Sequence, residues 1–505
     1  MRSLRGQVRR GITARGFLLA AAFCLWAGAT GGTCSAQQTV PTQITGQSAT
    51  GQAGGLTPGS ADLSRLNADA LGWLQQLLRF NTTNPPGNEL AEAKYIADIL
   101  EKEGIRTETF ESAPGRGILV ARLQASAMPD PSKALLLMAH LDVVGVDKAK
   151  WTQDPFGATI KDGYLYGRGA VDDKGMLAVN LAVFVALKRA GVRLNRDVIF
   201  LAESDEEAGG ANGITFAVEK HWDKIAAGFA LNEGGGVTEK NGKAQYVGVQ
   251  ASEKVALSVD VTATGTSGHA SIPRKDDPVA HLVTAMAKIA TYEAPVEFNS
   301  VTRAYFAGLA PLQDEETSKW MRALETPDRG DHAARVIANA NPYWNAIMRD
   351  TIAETMLQAG IRANVVPGDA KGVLNIRLLP GNMGSVLISK LSALVNDPAV
   401  KFEIEPNPGE AAPSSSLESD LYRSITRVAA KEFPGAPVIP AMSPWATDSS
   451  KLRMRSVQAY GLVPFPLTDD DLNRMHGNDE RIPIASFQKG IEFEYGVVTD
   501  FVAAK

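Results

Sequence analysis

The sequence is poor in cysteine, with two in 505 residues, and both of them, Cys24 and Cys34, lie near the N-terminus. If this N-terminal segment is removed by processing, the remaining chain has no disulfide. An exported chain without disulfides must rely on a large hydrophobic core or on bound metal. The length and a hydrophobic content of 44% allow two or more domains with such cores.

The sequence also lacks an excess of positive charge. Its 51 lysines and arginines are outnumbered by 56 aspartates and glutamates, which gives a formal net charge of −5. Proteins that bind nucleic acid rely on basic patches that neutralise phosphate groups. We therefore expect no nucleic acid partner.

Long apolar runs are also missing, apart from one at about residues 17–29, which is too short to span a membrane comfortably. Five arginines precede this run and small residues follow it up to Ala36, which is the order of a secretory signal peptide. We predict a signal peptide over residues 1–36, a periplasmic or secreted protein, and no membrane span in the mature chain. Lipid anchoring at Cys34 is less favoured, because residues 31–33 lack the usual aliphatic side chain.

An acidic sequence, Asp205-Glu206-Glu207, closely follows the apolar run at residues 198–202. Adjacent residues at the end of a strand point in different directions, so one glutamate could bind a metal while the other faces a substrate. A carboxylate cluster beside a buried strand is costly unless its charges are paired or bind metal. The alternative is an ordinary solvated turn, and the choice depends on whether other ligands reach the same place.

Strand and helix patterns alternate along the rest of the chain. This predicts an α/β fold with a mixed, largely parallel sheet and helices on both faces. Buried strands are predicted at residues 134–139, 198–202 and 228–232, and an almost wholly apolar helix at 176–189. Functional sites in such sheets form beyond the carboxyl ends of the strands. The side chains delivered to that edge are His140, Glu206, Glu207 and Glu233, while Asp172 precedes the helix.

Each of these residues also has a purely structural explanation. A lone histidine is more often a hydrogen-bonded structural residue, but Asp142 lies on the same side of an extended segment as His140 and can fix its ring. Asp172 or Asp173 could cap the following helix, a role that is compatible with metal binding. Glu233, which precedes three glycines, could be a turn residue. The convergence of four segments on one edge favours a metal site over these alternatives.

Five motifs carry this chemistry: His140-Leu-Asp142, residues 167–175 (GRGAVDDKG), Asp205-Glu206-Glu207, Asn232-Glu233-Gly234 and residues 475–480 (MHGNDE). In this order they resemble the motifs of the zinc metallopeptidase family of carboxypeptidase S, glutamate carboxypeptidase, aminoacylase and succinyl-diaminopimelate desuccinylase. The resemblance extends over roughly residues 63–502 and is closest to the carboxypeptidase S-like branch. Five ordered motifs are highly specific, whereas any one of them alone would be a weak match.

The resemblance implies two zinc ions that share one aspartate. The ligands carried over from the family are Asp172 as the bridge, His140 and Glu233 at one ion, and Glu207 and His476 at the other. Glu206 would be the general base, and Asp142 would orient His140. Oxygen and imidazole ligands suit Zn²⁺, and paired metals activate water and polarise a carbonyl, so this chemistry is physically consistent.

The resemblance also implies an inserted α+β lid and dimerisation domain, and hence a possible homodimer through it. The sequence patterns agree with such a unit, since they predict strands at 254–264, 371–379 and 400–405 and helices at 278–291 and 386–395. A long intervening stretch, about residues 292–350, resembles the extended lid of the carboxypeptidase S branch.

Three residues of the insert match family positions that contact substrate. His269 would donate to the substrate carbonyl, in the family often from the partner subunit, as stabilisation of an oxyanion requires. Asn364 and Arg377 match positions that bind the substrate's carboxylate, for which a guanidinium is well shaped. The alternatives are a surface-loop histidine and an ordinary strand arginine. Ala446 and Ser450 depart from the family pattern, which affects the expected side-chain or acyl pocket but not the metal centre.

The predicted segments are a signal peptide (1–36), a flexible Gln/Thr/Gly/Ser-rich linker (37–61), a catalytic domain in two parts (62–252 and 410–505) and the inserted lid (253–409). The predicted function is cleavage of an amide bond by a di-zinc centre in small peptide substrates with a free carboxylate, as in carboxypeptidases and dipeptidases. The alternative is an N-acyl amino acid acylase. A catalytically silent peptide-binding protein is less favoured, because neither Glu206 nor any ligand is lost.

Overall fold

The computed structural model describes residues 62–126, 128, 130–406, 409 and 411–504, so the predicted signal peptide and linker lie outside the described residues. The strands are β1 (Thr107–Ala113), β2 (Arg116–Leu123), β3 (Leu135–His140), β4 (Thr159–Lys161), β5 (Tyr164–Tyr166), β6 (Val198–Glu203), β7 (Phe229–Asn232), β8 (Gly236–Lys240), β9 (Lys243–Glu253), β10 (Val255–Thr264), β11 (Gly268–His269), β12 (Thr351–Ala359), β13 (Val365–Val366), β14 (Asp369–Leu378), β15 (Val400–Ile404), β16 (Val438–Ser443), β17 (Gln458–Gly461), β18 (Pro466–Leu467) and β19 (Arg481–Pro483). The helices are α1 (Leu63–Leu77), α2 (Leu90–Lys102), α3 (Lys174–Arg189), α4 (Ile214–Lys220), α5 (Trp222–Ile225), α6 (Pro278–Ile289), α7 (Ser300–Leu309), α8 (Glu315–Ala323), α9 (Gly330–Ala340), α10 (Pro342–Met348), α11 (Gly384–Val395), α12 (Asp420–Glu432), α13 (Ser449–Arg453), α14 (Asp469–Leu472) and α15 (Ile484–Val502). Within the described ranges, no helix combines the length and the apolar character needed to cross a membrane.

The larger sheet has the strand order β1-β2-β6-β3-β7-β17-β9-β8-β18, with β16 paired to β9. Its central strands β6, β3, β7 and β17 run parallel, and antiparallel pairs lie on either side of them. All six residues of β3 and of β6 are buried, as expected for strands that are covered on both faces. The predicted α/β class, with a mixed sheet that is parallel at its centre, is confirmed.

Helices cover both faces of this larger sheet. On one face α1, α3 and α15 pack against one another and against the strands in a large apolar core. On the other face a smaller core forms around Ile214 of α4 and Leu452 of α13. Helix α3 lies between the sheet and its neighbouring helices, so every residue from Lys174 to Leu187 is buried. Its N-terminus, which follows Asp172 and Asp173, is thereby fixed beside the ends of the strands.

A second sheet of four antiparallel strands has the order β12-β14-β10-β15. Helices α6 and α11 pack against it, and a separate core forms around Val259, Leu282 and Leu391. Buried and less buried residues alternate along β10 because one face meets these helices. The strands and helices predicted for the insert are therefore present. Beyond one end of this sheet, β11 and β13 form a short ribbon in which His269 lies opposite Val365.

Helices α7 to α10 connect α6 to β12 without joining the core of the second sheet. Val301, Phe306 and Met348 belong instead to the core of the larger sheet, and α7 packs against β16. The described part of residues 253–409 therefore contributes to two separate cores. Strand β12, which the sequence patterns did not indicate, then returns the chain to an edge of the second sheet.

Candidate metal centre

The carboxyl ends of three parallel strands meet at one edge of the larger sheet. Strand β3 ends at His140, β6 ends at Glu203, and β7 ends immediately before Glu233. After β6 the chain turns at Asp205, which has a left-handed φ of +74°, and continues into a 3₁₀ turn over Glu206–Ala208. The strand order thus brings together acidic residues and a histidine that are far apart in the sequence.

The side chain of Asp205 holds this turn in place. Its Oδ1 accepts hydrogen bonds from Arg116 at 2.8 Å and from Asn84 at 3.0 Å, and its Oδ2 accepts the main-chain N–H of Asn212 at 2.8 Å. Arg116 also forms a buried ion pair with Glu89 at 2.8 Å. Aspartate tolerates a left-handed φ better than most residues, and these contacts offset the remaining cost.

His140, Asp172 and Glu233 form the first of two candidate ligand groups in the described part of the chain. His140 Nε2 lies 3.0 Å from Asp172 Oδ1 and 4.0 Å from Glu233 Oε2. His140 Nδ1 lies 2.9 Å from the main-chain oxygen of Asp142. A ring that donates to this oxygen through Nδ1 presents Nε2 to a metal.

Asp172, Glu207 and His476 form the second group. His476 Nε2 lies 3.0 Å from Asp172 Oδ2 and 3.2 Å from Glu207 Oε1. Asp172 therefore belongs to both groups and offers a different carboxylate oxygen to each. This is the geometry expected of a carboxylate that bridges two neighbouring cations.

The donor set fits a pair of divalent cations. Glu207 Oε1 is buried beside His476 Nε2, a position that is costly for a carboxylate unless a positive charge, from a cation or a charged imidazole, lies against it. Hydrogen bonds to Asp172 and Glu207, with their charges, raise the pKa of His476 to about 10, so the position strongly favours positive charge. Imidazole nitrogens and carboxylate oxygens are ligands that suit Zn²⁺.

Glu206 belongs to neither ligand group, so its carboxylate is available for another role. Burial raises the pKa of Glu206 well above its ordinary value, and the charge of Asp448 raises it further. Burial likewise raises the pKa of Asp448 to about 7. A carboxyl group whose pKa is shifted towards neutrality is suited to accept a proton and return it.

Asp142 lies between these groups, but its relation to His140 differs from the expected one. The nearer acceptor for the ring is the main-chain oxygen of Asp142, because its Oδ1 lies 3.5 Å from His140 Nδ1. The carboxylate instead accepts a hydrogen bond from Asn84 Nδ2 at 2.8 Å and the main-chain N–H groups of Glu206 and Glu207. Asp142 therefore contacts both the histidine strand and the glutamate turn.

Sequence reasoning did not assign a role to Arg168 or Glu480, although both lie within recognised motifs. Glu480 is completely buried, and its Oε2 accepts a hydrogen bond from Arg168 NH1 at 2.6 Å. The same carboxylate accepts the main-chain N–H of Asp172 at 3.1 Å. The separation of Arg168 and Glu480 in the chain explains why no local pattern revealed the pair.

The structure does not bring His269 or Asn364 to the ligand groups of the same chain. His269 is exposed, and its Nδ1 lies 2.8 Å from the hydroxyl of Ser271. Asn364 is its neighbour, because the main-chain oxygen of Asn364 accepts the N–H of Ala270 at 3.1 Å. In the described ranges, neither side chain has a hydrogen bond or ion pair with a candidate ligand.

Arg377 lies at the other end of β14, opposite Ala256 and Thr351, where the second sheet joins the rest of the chain. The distance along β14 from Asp369, near Asn364, to Arg377 is about 26 Å at the usual rise of a strand. Asn364 and Arg377, the two residues expected to bind one carboxylate, therefore lie at opposite ends of the second sheet within one chain.

The segment with the unexpected Ala446 and Ser450 lies beside the residue before Glu233, because Ser449 Oγ accepts a hydrogen bond from Asn232 Nδ2 at 3.1 Å. Between them, Thr447 is buried and its hydroxyl donates to Glu253 Oε2 at 2.7 Å. Trp445 precedes this segment, is 49% exposed, and stacks at a tilt on Tyr343, with 6.3 Å between the ring centroids. Sequence reasoning missed Trp445, although the position of a tryptophan three residues before Asp448 could have indicated it.

The mixed α/β sheet, with histidine and carboxylate side chains clustered beyond its strand ends, defines an α/β protein with a candidate metal centre. The sequence profile described as peptidase family M20/M25/M40 matches residues 136–500. The chain belongs to this family, which confirms the resemblance drawn from the five motifs.

Several relatives and solved structures are similar to this chain over most of its length. A probable carboxypeptidase S-like 2 from Dictyostelium discoideum is 29% identical over 72% of this chain and 71% of the relative. The human N-fatty-acyl-amino acid synthase/hydrolase PM20D1 is 28% identical over 73% and 74%, and rat aminoacylase-1B is 28% identical over 85% and 93%. The M20 metallo-carboxypeptidase Sso-CP2 from Sulfolobus solfataricus shares the fold, with a TM-score of 0.67 and 21% identity over 86% of this chain and 99% of that one.

Proposed function

We propose that this protein is an exported di-zinc hydrolase that cleaves an amide bond in small substrates carrying a free carboxylate. The observation that carries the proposal is the position of Asp172, whose two carboxylate oxygens face two different ligand groups. Glu206 lies beside them without belonging to either group. The arrangement supports a pair of cations with a separate carboxylate for proton transfer.

His140, Asp172 and Glu233 would hold one Zn²⁺, and Asp172, Glu207 and His476 the other. The bound ions would supply Lewis acidity, which polarises the scissile carbonyl and lowers the pKa of the attacking water. Glu206 would accept the proton that this water loses and transfer it to the leaving nitrogen. The carboxylate of Asp142 would hold Glu206 in position by accepting the main-chain N–H of Glu206.

We further propose that His269 and Asn364 act in the site of a second copy of the chain, whereas Arg377 acts in its own. The distance between Asn364 and Arg377 within one chain supports this assignment. His269 would donate to the oxygen of the scissile carbonyl as negative charge develops there, and Arg377 would bind the substrate's carboxylate.

Mixing two inactive variants tests the exchange of residues between subunits. Glu206→Gln and His269→Ala should each be inactive alone, but a mixed dimer would contain one site with both native residues. Random association then restores about a quarter of the wild-type activity. No recovery in mixtures that are shown to contain mixed dimers would contradict the exchange.

The identity of the acyl side of the substrate distinguishes two candidate functions. A carboxypeptidase or dipeptidase removes a residue from a peptide, whereas an acylase releases a fatty or other acyl group from an amino acid. The half-exposed ring of Trp445, packed on Tyr343, favours an apolar acyl group, because an aromatic surface at the site can cover a hydrocarbon chain. Acylase activity is therefore the second candidate.

The test of the proposed function is a hydrolysis screen with the zinc-loaded protein. The panel contains dipeptides, N-acetyl amino acids and long-chain N-acyl amino acids, each with and without a free carboxylate. Glu206→Gln should reduce turnover by about 10²–10⁴-fold while two zinc ions stay bound. Unchanged turnover in that variant would overturn the mechanism, and a wild-type protein that cleaves none of the panel would overturn the function.

The proposed export has its own measurement. The chain expressed in a bacterium with an intact secretion system should be recovered outside the cytoplasm with Gln37 as its first residue. Recovery with Met1 or Arg2 at the N-terminus would contradict cleavage, and a lipid on Cys34 would support the alternative anchor.

A further inference from the structure

We infer that Arg168 and Glu480 form a clamp that couples the two metal-ligand groups, so that the positions of Asp172 and His476 depend on each other. The inference rests on the two-metal centre of the proposed function. Neither Arg168 nor Glu480 belongs to a candidate ligand group, so both would be positioning residues.

Glu480 forms the first half of the clamp, because both of its carboxylate oxygens accept hydrogen bonds from the loop that carries Asp172. Oε1 accepts the main-chain N–H of Val171 at 2.9 Å and that of Asp172 at 3.1 Å. Oε2 accepts the main-chain N–H of Gly169 at 3.0 Å and NH1 of Arg168 at 2.6 Å. Hydrogen bonds to an ionised group are short and directional, so the three from main-chain N–H groups fix the main chain of the loop.

Arg168 forms the second half, because it reaches from this loop to the loop that carries His476. Its NH2 donates to the main-chain oxygen of Gly477 at 2.7 Å. The guanidinium also lies over the ring of Trp151, with 5.3 Å to the centroid, and is almost completely buried. The fork of an arginine thus holds two acceptors from two segments in a fixed relation.

The local backbone shows why His476 needs such support. His476 has a left-handed φ of +57°, a conformation that is uncommon for residues other than glycine, and its side chain is half exposed. The hydrogen bond from Arg168 to the main-chain oxygen of Gly477 restrains the residue that follows His476. Loss of the clamp should therefore move His476 away from Asp172 without removing any ligand.

This coupling predicts an effect on metal affinity that is separate from substrate turnover. Partners of metal ligands typically contribute about 10–100-fold to metal affinity. Glu480→Gln keeps the shape of the side chain but places an amide NH₂ against main-chain N–H groups or the guanidinium. We expect this variant to lower the affinity for the zinc ion held by Asp172, Glu207 and His476 by about 10–100-fold. The affinity for the other zinc ion should fall less.

Titration with Zn²⁺ alone, in competition with a coloured chelator, tests this expectation on the full chain. Arg168→Lys is the second variant, because it keeps the buried positive charge but cannot contact Glu480 and Gly477 with the same planar fork. Asp197→Asn is the matched control. Asp197 also accepts hydrogen bonds from an arginine, Arg122 at 2.9 Å, and from a main-chain N–H, but lies at the opposite end of β6 from the metal centre.

The expected result is weaker binding of one zinc ion in Glu480→Gln and Arg168→Lys, with Asp197→Asn binding two ions like the wild type. A clamp with only a structural role would lower the melting temperature in all three variants and leave zinc affinity unchanged, which would overturn the inference. If Glu480→Gln does not fold, Arg168→Lys decides the question. A wild-type protein that binds fewer than two zinc ions would overturn the two-metal proposal itself.

Discussion

The carboxylate of Asp142 accepts the main-chain N–H of Glu206, with 3.1 Å between Oδ1 and the nitrogen. Asp142 follows the strand that ends in His140, whereas Glu206 follows the neighbouring strand. One buried carboxylate therefore fixes the position of the proposed base relative to a proposed metal ligand. Its second oxygen, Oδ2, accepts hydrogen bonds from Asn84 and from the main-chain N–H of Glu207.

The first prediction concerns this carboxylate. Asp142→Asn should place an amide NH₂ against at least one main-chain N–H and so displace the turn of Glu206 and Glu207. We expect kcat to fall by about 10–100-fold and zinc affinity by about tenfold, because both depend on the same contacts. Steady-state kinetics and zinc competition measure the two effects. Asp147→Asn, an exposed aspartate nearby in the sequence, should change neither quantity.

Much of the fold and of the candidate site could be predicted because both follow local patterns. The buried strands are continuous apolar runs, and each ends at a polar residue such as His140, so the edge of the sheet could be inferred from parallel order alone. Helix α3 was recognisable by its apolar character on all sides, which is the pattern of a buried helix.

The remainder depends on contacts that leave no local pattern. Periodicity shows that α7 to α10 each have an apolar face, but not that this face packs on the larger sheet rather than on the second one. Strand β12 is an edge strand whose residues are mostly exposed, so it has no alternation of apolar and polar residues. The contact between Arg168 and Glu480 joins residues from distant motifs, which the antiparallel pairing of β19 with β5 brings together.

The second prediction concerns stability and pH at Glu494 of α15. This side chain is buried, and among the described residues neither of its carboxylate oxygens has a hydrogen-bond partner. Burial raises its pKa well above the ordinary value of 4.5, and the charge of Asp173 adds to the shift. The folded state therefore keeps a proton that the unfolded state loses above about pH 4.5. Glu494 consequently destabilises the fold increasingly as the pH rises.

Replacement by an apolar residue of similar length removes this cost. Glu494→Met should be close to neutral at pH 4.5 and should stabilise the protein by about 1–2 kcal/mol at pH 8, where the wild type must take up a proton or bury a charged carboxylate in order to fold. Urea unfolding at both pH values measures the difference in free energy. An advantage for the variant that is equal at both pH values, or present only at the lower one, would contradict the linkage.

The third prediction concerns the acyl side of the substrate. The ring of Trp445 rests on Tyr343, which is itself held by a hydrogen bond from its hydroxyl to the main-chain oxygen of Met442 at 3.1 Å. The half-exposed ring therefore offers an apolar surface three residues before Asp448 in the chain. Trp445→Ala should raise KM for long-chain N-acyl amino acids by about tenfold or more, from the loss of buried apolar area, and change KM for N-acetyl amino acids little.

A matched control separates this effect from a general loss of apolar surface. Leu394→Ala removes a partly exposed apolar side chain from α11, the helix that packs against the second sheet. This change should not alter the preference for the length of the acyl chain. Equal KM changes for short and long acyl groups in Trp445→Ala would exclude the aromatic surface as the acyl site. The peptidase reading would then gain support.

The fourth prediction concerns Arg377. In the described part of the chain no acidic side chain pairs with it, and its Nε donates to Asn375 Oδ1 at 3.2 Å, so its terminal nitrogens can bind a carboxylate. Arg377→Met should raise KM about 100-fold for substrates with a free carboxylate and leave KM for their carboxamide analogues unchanged. Arg377→Lys should recover only part of this loss, because lysine lacks the planar fork of arginine. Steady-state kinetics on matched acid and amide substrates provide the comparison. An equal loss on both substrates would show that Arg377 supports the fold of the second sheet instead of binding the carboxylate.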